Sequence, residues 1–417
     1  MGELKSQIKP FEISKTEVWE AYLKVKANQG APGVDGCTIE EFEKDLKGNL
    51  YKVWNRMSSG SYFPPPVKGV EIPKSHGDGV RLLGVPTVAD RIAQTVVAAH
   101  LEKRVEPVFH PDSYGYRPNR SALNAVEACR RRCWKKKWAV DLDVSKFFDS
   151  VRWDLVIKAV ETHTDATWVV LYVKRWLAAP LQLPDGTLRQ RNRGTPQGSA
   201  VSPVLANLFL HYAFDLWLSR RFPDVQFERY ADDAVVHCDS ERRAHAVLKA
   251  IGDRMEEVGL QLHPAKTRIV YCGRDGRHDD VAATSFTFLG FTFQRRPARD
   301  RNGKIFTSFL PAPSKDALKK MSAEVRSWRL HMHIGYTLGE FARWLNPVIR
   351  GWMQYYGAFY RTELYPLLKR INYYLMRWVR KKYRRLKTFK NFHRRWKQVT
   401  TAYPLFFAHW KWVHSIW

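Results

Sequence analysis

Phe227-Glu-Arg-Tyr-Ala-Asp-Asp-Ala-Val-Val-His-Cys238 is the stretch from which the rest of the chain can be read. Aromatic and β-branched residues flank Ala231-Asp232-Asp233, so the segment predicts a β-hairpin with both aspartates at its tight turn. Adjacent carboxylates on an exposed turn repel each other and suit a core poorly. A divalent cation relieves that repulsion, and Mg²⁺ takes hard oxygen ligands of this kind. Asp is also a common turn residue, so the pair gains meaning from its surroundings. Those are a second acidic strand upstream and a chain built like a nucleic-acid binder.

The 417 residues leave room for two or three packed units, and 45% hydrophobic with 13% aromatic content excludes general disorder. Sixty-nine Lys and Arg against 41 Asp and Glu leave a net charge of +28, with an isoelectric point near 9.9. Such a charge on a folded chain points to a polyanionic partner, foremost nucleic acid. The five cysteines form no Cys-x-x-Cys pair, so spacing indicates neither a zinc site nor a disulfide framework. Cys129 and Cys133, one turn apart on a basic helix, read as packing residues. No charge-free apolar run is long enough to span a bilayer, and the N-terminus lacks a signal-peptide core. The expectation is a cytoplasmic protein that works on RNA or DNA and does not enter membranes.

Upstream of the hairpin, Trp138-Ala-Val-Asp-Leu-Asp-Val-Ser-Lys-Phe-Phe-Asp149 reads as a strand entering a helix, with Asp141 and Asp143 on one strand face. Val70–Lys74 and Val80–Pro86 read as a hairpin carrying Lys74 and Arg81, which on spacing alone are ordinary surface cations. Asp90–Val105 is an amphipathic helix. The loop Phe109–Arg120, with Arg117 among aromatics, suits either stacking and phosphate contact or a packed Ω-loop. Residues 151–178 read as helical, and Arg193-Gly-Thr-Pro-Gln-Gly198 opens a loop into a long apolar helix, Val204–Leu218.

Arg295–Asn302 is basic and unpatterned, with Pro297 inside it and Gly303 just after it, which places a domain boundary there. Beyond Pro313 the pattern is helical, over Ser314–Arg326, Thr337–Met353 and Tyr365–Tyr383. From Arg377 to Lys397 there are eleven Lys or Arg and no acid, interrupted by Trp378, Tyr383, Phe389 and Phe392. A solvated basic face explains that imbalance badly. Arg380, Lys381, Lys382, Arg384, Arg385, Arg394 and Arg395 are therefore candidate contacts to a phosphate backbone.

The order of elements, an acidic strand, a Gly loop with its helix, then the Asp232-Asp233 hairpin, fits an α+β palm-like sheet. Neighbouring central strands would bring Asp143 to Asp232. Carboxylates so placed suit a pair of Mg²⁺ ions about 3.5–4 Å apart, the clamp of nucleotidyl transfer.

On these motifs the chain resembles bacterial group II intron-encoded reverse transcriptases and maturases over nearly its whole length. Tyr230-Ala-Asp-Asp233 resembles the family's catalytic motif, and Asp143-Val-Ser-Lys-Phe-Phe-Asp149 its first metal-binding motif. The resemblance implies Asp143, not Asp141, as the ligand beside Asp232 and Asp233. It also implies that Phe148 blocks a ribose 2′-hydroxyl and that Gln197 lies near the incoming base pair. Lys74 and Arg81 match fingertip cations for the triphosphate, and Lys266 an active-site lysine. Phe288-Leu-Gly-Phe291 resembles the primer grip, Gln29–Gly36 the N-terminal extension, and Asn346–Tyr356 the maturase thumb. Residues 81–84 read Arg-Leu-Leu-Gly where the family usually has Pro second.

The implied architecture is a right-hand polymerase. It has fingers and palm over residues 1–296, an all-α thumb over 297–385, and a basic DNA-binding segment over 386–417. The implied partners are the group II intron RNA, an RNA template with a DNA primer, target DNA and dNTPs, in a bacterial, nucleoid-associated setting and with the oligomeric state open. No His-Asn-His endonuclease pattern occurs, so the resemblance implies a borrowed DNA 3′ end. The leading expectation is an RNA-directed DNA polymerase that also assists splicing and retrohoming. The alternatives are a splicing-only maturase, against which the intact carboxylates argue, and a domesticated enzyme of defence or DNA repair.

Overall fold

The computed structural model describes residues 9–73, 80–273 and 283–416. It divides into two compact units that interleave along the sequence. The first comprises residues 1–121, 142–234 and 245–267, the second 122–141, 235–244 and 268–417.

In the first unit, helix Lys15–Asn28 starts at a reciprocal Ser14–Glu17 capping box. It leads through the Gln29–Gly36 loop toward helices Ile39–Glu43 and Leu46–Ser58. Arg91, on helix Val88–Val105, donates to the carbonyls of Gln29 at 3.0 Å and Ala31 at 3.2 Å and so fastens that loop. The expected hairpin is present. Val67–Pro73 pairs antiparallel with Val80–Val85, from Lys68 opposite Val85 to Pro73 opposite Val80. The stretch 151–178, expected to be helical, forms two helices, Trp153–His163 and Thr167–Ala178. Thr164 Oγ1 accepts the Ala166 N–H at 3.1 Å, a side-chain turn that competes with the helical ladder. The apolar helix after the Gly loop runs Ser202–Leu210, passes through a π-turn at His211–Asp215, and resumes as Leu216–Arg221. The core of this unit gathers Ile92, Ala93, Val97, Leu101, Val160, Val169, Tyr172, Val173, Leu208 and Leu218, all without exposed surface.

In the second unit, helix Ala122–Lys135 precedes the strand Trp138–Leu142. That strand pairs antiparallel with Arg268–Tyr271, from Trp138 opposite Tyr271 to Asp141 opposite Arg268. The strand beginning at Asp233 lies on its other side from Val235 onward. Arg295–Asn302, expected as an unpatterned boundary, is instead largely strand. Phe291–Arg299 pairs with Ile305–Pro313 over nine residue pairs, and with Ser285–Phe288 only as far as Gln294. Pro297 therefore sits where one side of the strand has no ladder partner among the described residues, and its missing N–H costs nothing there.

Helices Lys315–Ser327, Leu338–Tyr356, Tyr365–Lys382 and Phe389–Ala402 close around Phe341, Leu345, Ile349, Leu368, Ile371, Leu375 and Trp378. Asn372, buried on helix Tyr365–Lys382, ties down the C-terminal segment. Its Oδ1 accepts from His409 Nε2 at 2.7 Å and Trp410 Nε1 at 2.9 Å, and its Nδ2 donates to the Ser415 carbonyl at 2.8 Å. No helix among the described residues is long and apolar enough to cross a membrane.

Candidate active site

The Asp232-Asp233 turn is shaped from behind. Gln226–Tyr230 is extended, Ala231 takes a left-handed backbone with φ of 56°, and the second strand starts at Asp233. An Ala in that conformation is strained, and Arg229 holds it in place. The guanidinium is 1% exposed and all five of its donors are used: two on Asp215, one on the Ala231 carbonyl at 2.9 Å, and one each on Asn207 and Ser113. Gly115 packs against the same turn, where a Cβ would lie 2.4 Å from the Ala231 nitrogen. Asp232 is left half-buried and Asp233 exposed.

Asp143 follows the strand Trp138–Leu142 and is set by the segment after Gly259. The His263 N–H donates to the Asp143 carbonyl at 2.7 Å, and the Ser145 N–H to the Gln261 carbonyl at 2.8 Å. Lys266, from that segment, reaches Asp143 Oδ2 at 3.1 Å. Asp141 instead meets Arg268 at 3.3 Å. Burial is the largest influence raising the Asp232 carboxyl above its ordinary pKa, and the Asp143 carboxylate raises it further. Its own backbone N–H, Arg81 and Arg229 pull the other way. Asp143 therefore lies near enough to Asp232 for its charge to be felt there. Tyr116, half of whose surface is exposed, faces the same charges: burial, Asp232, Tyr230 and Asp233 raise its hydroxyl, and Arg81 lowers it.

The Arg193–Gly198 loop runs between the Phe148 turn and the fingertip strand. The Thr195 N–H donates to the Phe148 carbonyl, and the Gly84 N–H to the Gln197 carbonyl, both at 2.7 Å. Gly198, with φ of 107°, approaches so closely that a Cβ would lie 2.6 Å from the Gly84 carbonyl oxygen. From behind, Asp90 accepts from Tyr62, Trp176 and Gln94, and Gln94 Oε1 accepts from Ser199 Oγ at 2.6 Å and the Ala200 N–H at 2.8 Å. Burial lifts the Asp90 carboxyl to about 6, against the pull of those three donors.

Within one unit the fold thus brings together Asp143, Asp232, Asp233, Lys266 and Arg81, and sets the Gly loop bearing Gln197 against Phe148. Lys74 lies outside the described residues. Arg117 is a correction. It is 9% exposed, pairs with Glu106 at 2.8 Å, and donates to the His110 and Ser113 carbonyls at 2.7 and 2.8 Å. Its charge braces the loop, which is the packed kind, and is not offered to a phosphate. The site-facing residue of that loop is its neighbour Tyr116. Arg229, Asp215, Asp90 and Gln94 were not singled out from sequence as parts of this site.

The candidate nucleic-acid contacts lie on the second unit. Lys381, Arg384, Arg385, Arg394 and Arg395 are exposed, Arg380 and Lys382 half-buried. Arg380 donates to the Lys387 carbonyl at 2.8 Å, and Lys382 to that of Tyr336. On helix Phe389–Ala402 the residues Phe392, Trp396 and Thr400 are buried at four-residue spacing, which turns Arg394, Arg395 and Lys397 outward.

Residues 72–293 match the model of the family described as reverse transcriptase (RNA-dependent DNA polymerase), and residues 318–396 match that of the group II intron maturase-specific domain. The protein YkfC of Escherichia coli K12 is 30% identical over 364 residues, covering 77% of this chain and 91% of the relative. The group II intron-encoded protein LtrA of Lactococcus lactis subsp. cremoris is 29% identical over 254 residues, covering 60% of this chain and 42% of that protein. A putative COX1/OXI3 intron 1 protein of Saccharomyces cerevisiae is 30% identical over 198 residues, 48% of this chain and 23% of the relative. The chain thus spans less than half the length of the last two. With a reverse transcriptase match over its converging carboxylates and a maturase match over its helical segment, this chain belongs to the group II intron reverse transcriptase and maturase family of RNA-directed DNA polymerases.

Proposed function

We propose that this chain is the polymerase of a mobile group II intron, copying RNA from a DNA primer and binding the intron RNA to assist splicing and retrohoming. The observation that carries the reading is that Asp143, from a distant part of the sequence, comes near enough to Asp232 for its charge to raise that carboxyl. Asp143, Asp232 and Asp233 are hard oxygen donors whose repulsion a cation relieves, and so fit a pair of Mg²⁺ ions. Bound there, such ions activate the primer 3′-hydroxyl and neutralise the leaving pyrophosphate.

The chain's own residues do the rest. Arg81 meets the triphosphate of a dNTP beside Asp232, and Lys266 orients Asp143. Phe148 excludes a 2′-hydroxyl while the Gly loop seats Gln197 at the base pair. The helices of residues 297–385 act as the thumb and hold intron RNA, and the outward cations of residues 386–417 grip target DNA.

The test is primer extension on an RNA template by Asp232→Ala with Asp233→Ala, run beside splicing of the cognate intron. Extension is expected to vanish while splicing persists. Full extension by the double variant overturns the reading.

A further inference from the structure

Helix Ala122–Lys135 places Cys129 and Cys133 four residues apart, on one face. Against that face lie His237, from the strand Asp233–Cys238, and Cys272, which follows the strand Arg268–Tyr271. All four belong to the second unit, and none is more than 3% exposed. The ligating atoms of Cys129, Cys133 and His237 lie within 4.8 Å of one another. Cys272 lies beside Cys133, and the two thiols influence each other's ionisation. A tetrahedral ion with bonds of about 2.0–2.3 Å sets its ligands roughly 3.3–3.8 Å apart, so Cys129, Cys133 and His237 need only a small contraction, while Cys272, outside that group, has to swing in as the fourth ligand.

We propose that Cys129, Cys133, His237 and Cys272 form a structural zinc site. Three thiols and one imidazole suit zinc, and soft sulfur donors discriminate against the Mg²⁺ that the aspartates take. Burial pushes the Cys133 thiol up to about 12 and the Cys272 thiol well above its ordinary value. A bound cation supplies the charge that makes them thiolates. His237 stands four residues beyond Asp233, so the site anchors the strand that carries that carboxylate.

The experiment measures zinc in the full-length protein purified without chelator or added metal, and the absorption spectrum of protein produced with cobalt. One zinc per chain is expected, with the thiolate-to-cobalt charge transfer and strong visible bands of a tetrahedral sulfur site. Cys37→Ser keeps both signals, and Cys133→Ser loses them. The wild-type measurement stands even where Cys133→Ser fails to fold. Folded wild-type protein with only trace zinc, and a cobalt spectrum showing oxygen ligation alone, overturns the site and leaves a dry thiol cluster.

Discussion

Arg229 and Asp215 form a two-point ion pair, Nε to Oδ1 at 2.7 Å and Nη2 to Oδ2 at 2.6 Å, with side chains 1% and 0% exposed. The same guanidinium holds the Ala231 carbonyl, so the buried pair and the turn that carries Asp232 and Asp233 form one unit of structure.

Breaking that pair should damage stability and chemistry separately. Arg229→Leu removes one charge and leaves the buried Asp215 carboxylate without its ion-pair partner. A cost of about 3–5 kcal/mol in denaturant unfolding is expected, the usual range for breaking a buried pair. Removing both charges, with Arg229→Leu and Asp215→Leu, should recover most of that loss, because apolar replacements of buried pairs are often tolerated. Primer extension should stay low in the double variant, because the Ala231 carbonyl has lost its donor. Recovered extension would show that Arg229 only stabilises.

Lys266 predicts the opposite profile. Its contact with Asp143 is largely exposed, with side chains 60% and 31% accessible, and exposed pairs contribute about 0–1 kcal/mol. Lys266→Met should leave the unfolding midpoint almost unmoved while lowering the extension rate at least about tenfold, a loss of some 1.4 kcal/mol of transition-state stabilisation. A rate equal to wild type would remove Lys266 from the site.

The carboxylates were legible because the acidic strand and the acidic turn keep their spacing to flanking hydrophobic residues, whatever the fold does elsewhere. Arg229, Asp215 and Asp90 were not. Each resembles a surface charge until its partners arrive from distant segments, as Ser113, Asn207 and Trp176 do here. Arg117 failed for the same reason, since Glu106 and two carbonyls consume its donors. The strand through Pro297 was hidden because its arginines mask any alternation. The Cys129–Cys133 pair was visible in its spacing, but His237 and Cys272 stayed hidden because they come from other elements and no local spacing joins them to that pair.

Phe148 is half-buried, with its ring 5.2 Å from that of Phe147 and its carbonyl fixed by Thr195. A shorter side chain should open space for a ribose without disturbing the loop. Phe148→Val is expected to raise ribonucleotide incorporation relative to dNTP in single-turnover extension, with dNTP use little changed. An unaltered ratio would exclude this ring as the sugar discriminator.

His409 makes stability depend on pH. Burial lowers its imidazole from 6.5 to about 3. Between those values the unfolded chain binds the proton and the folded one does not. Stability from this group is therefore full above pH 6.5 and lost as pH falls toward 3, at up to about 1.4 kcal/mol per pH unit. Denaturant unfolding followed across that window should show the slope, and His409→Gln should flatten it. Asp90 tilts the other way: its carboxyl, lifted from 3.8 to about 6, favours the folded state below that window and less so as pH rises through it. Asp90→Asn should therefore steepen the acid loss that His409→Gln relieves.

Helix Phe389–Ala402 separates binding from folding on two faces. Arg394 and Arg395 point outward and touch little beyond Gln398, reached by Arg395 at 3.4 Å. Phe392, 1% exposed, packs into the helical core. Replacing both arginines by Ser should leave the unfolding midpoint within experimental scatter. The affinity for intron RNA or for target DNA should fall. The slope of log K against log salt should lessen by about 1.5, two phosphate contacts at roughly 0.7–0.9 each. Phe392→Ala should instead cost about 3–5 kcal/mol of stability. A filter-binding titration over a salt series decides it: an unchanged slope in the double variant would mean that nucleic acid binds elsewhere on the chain.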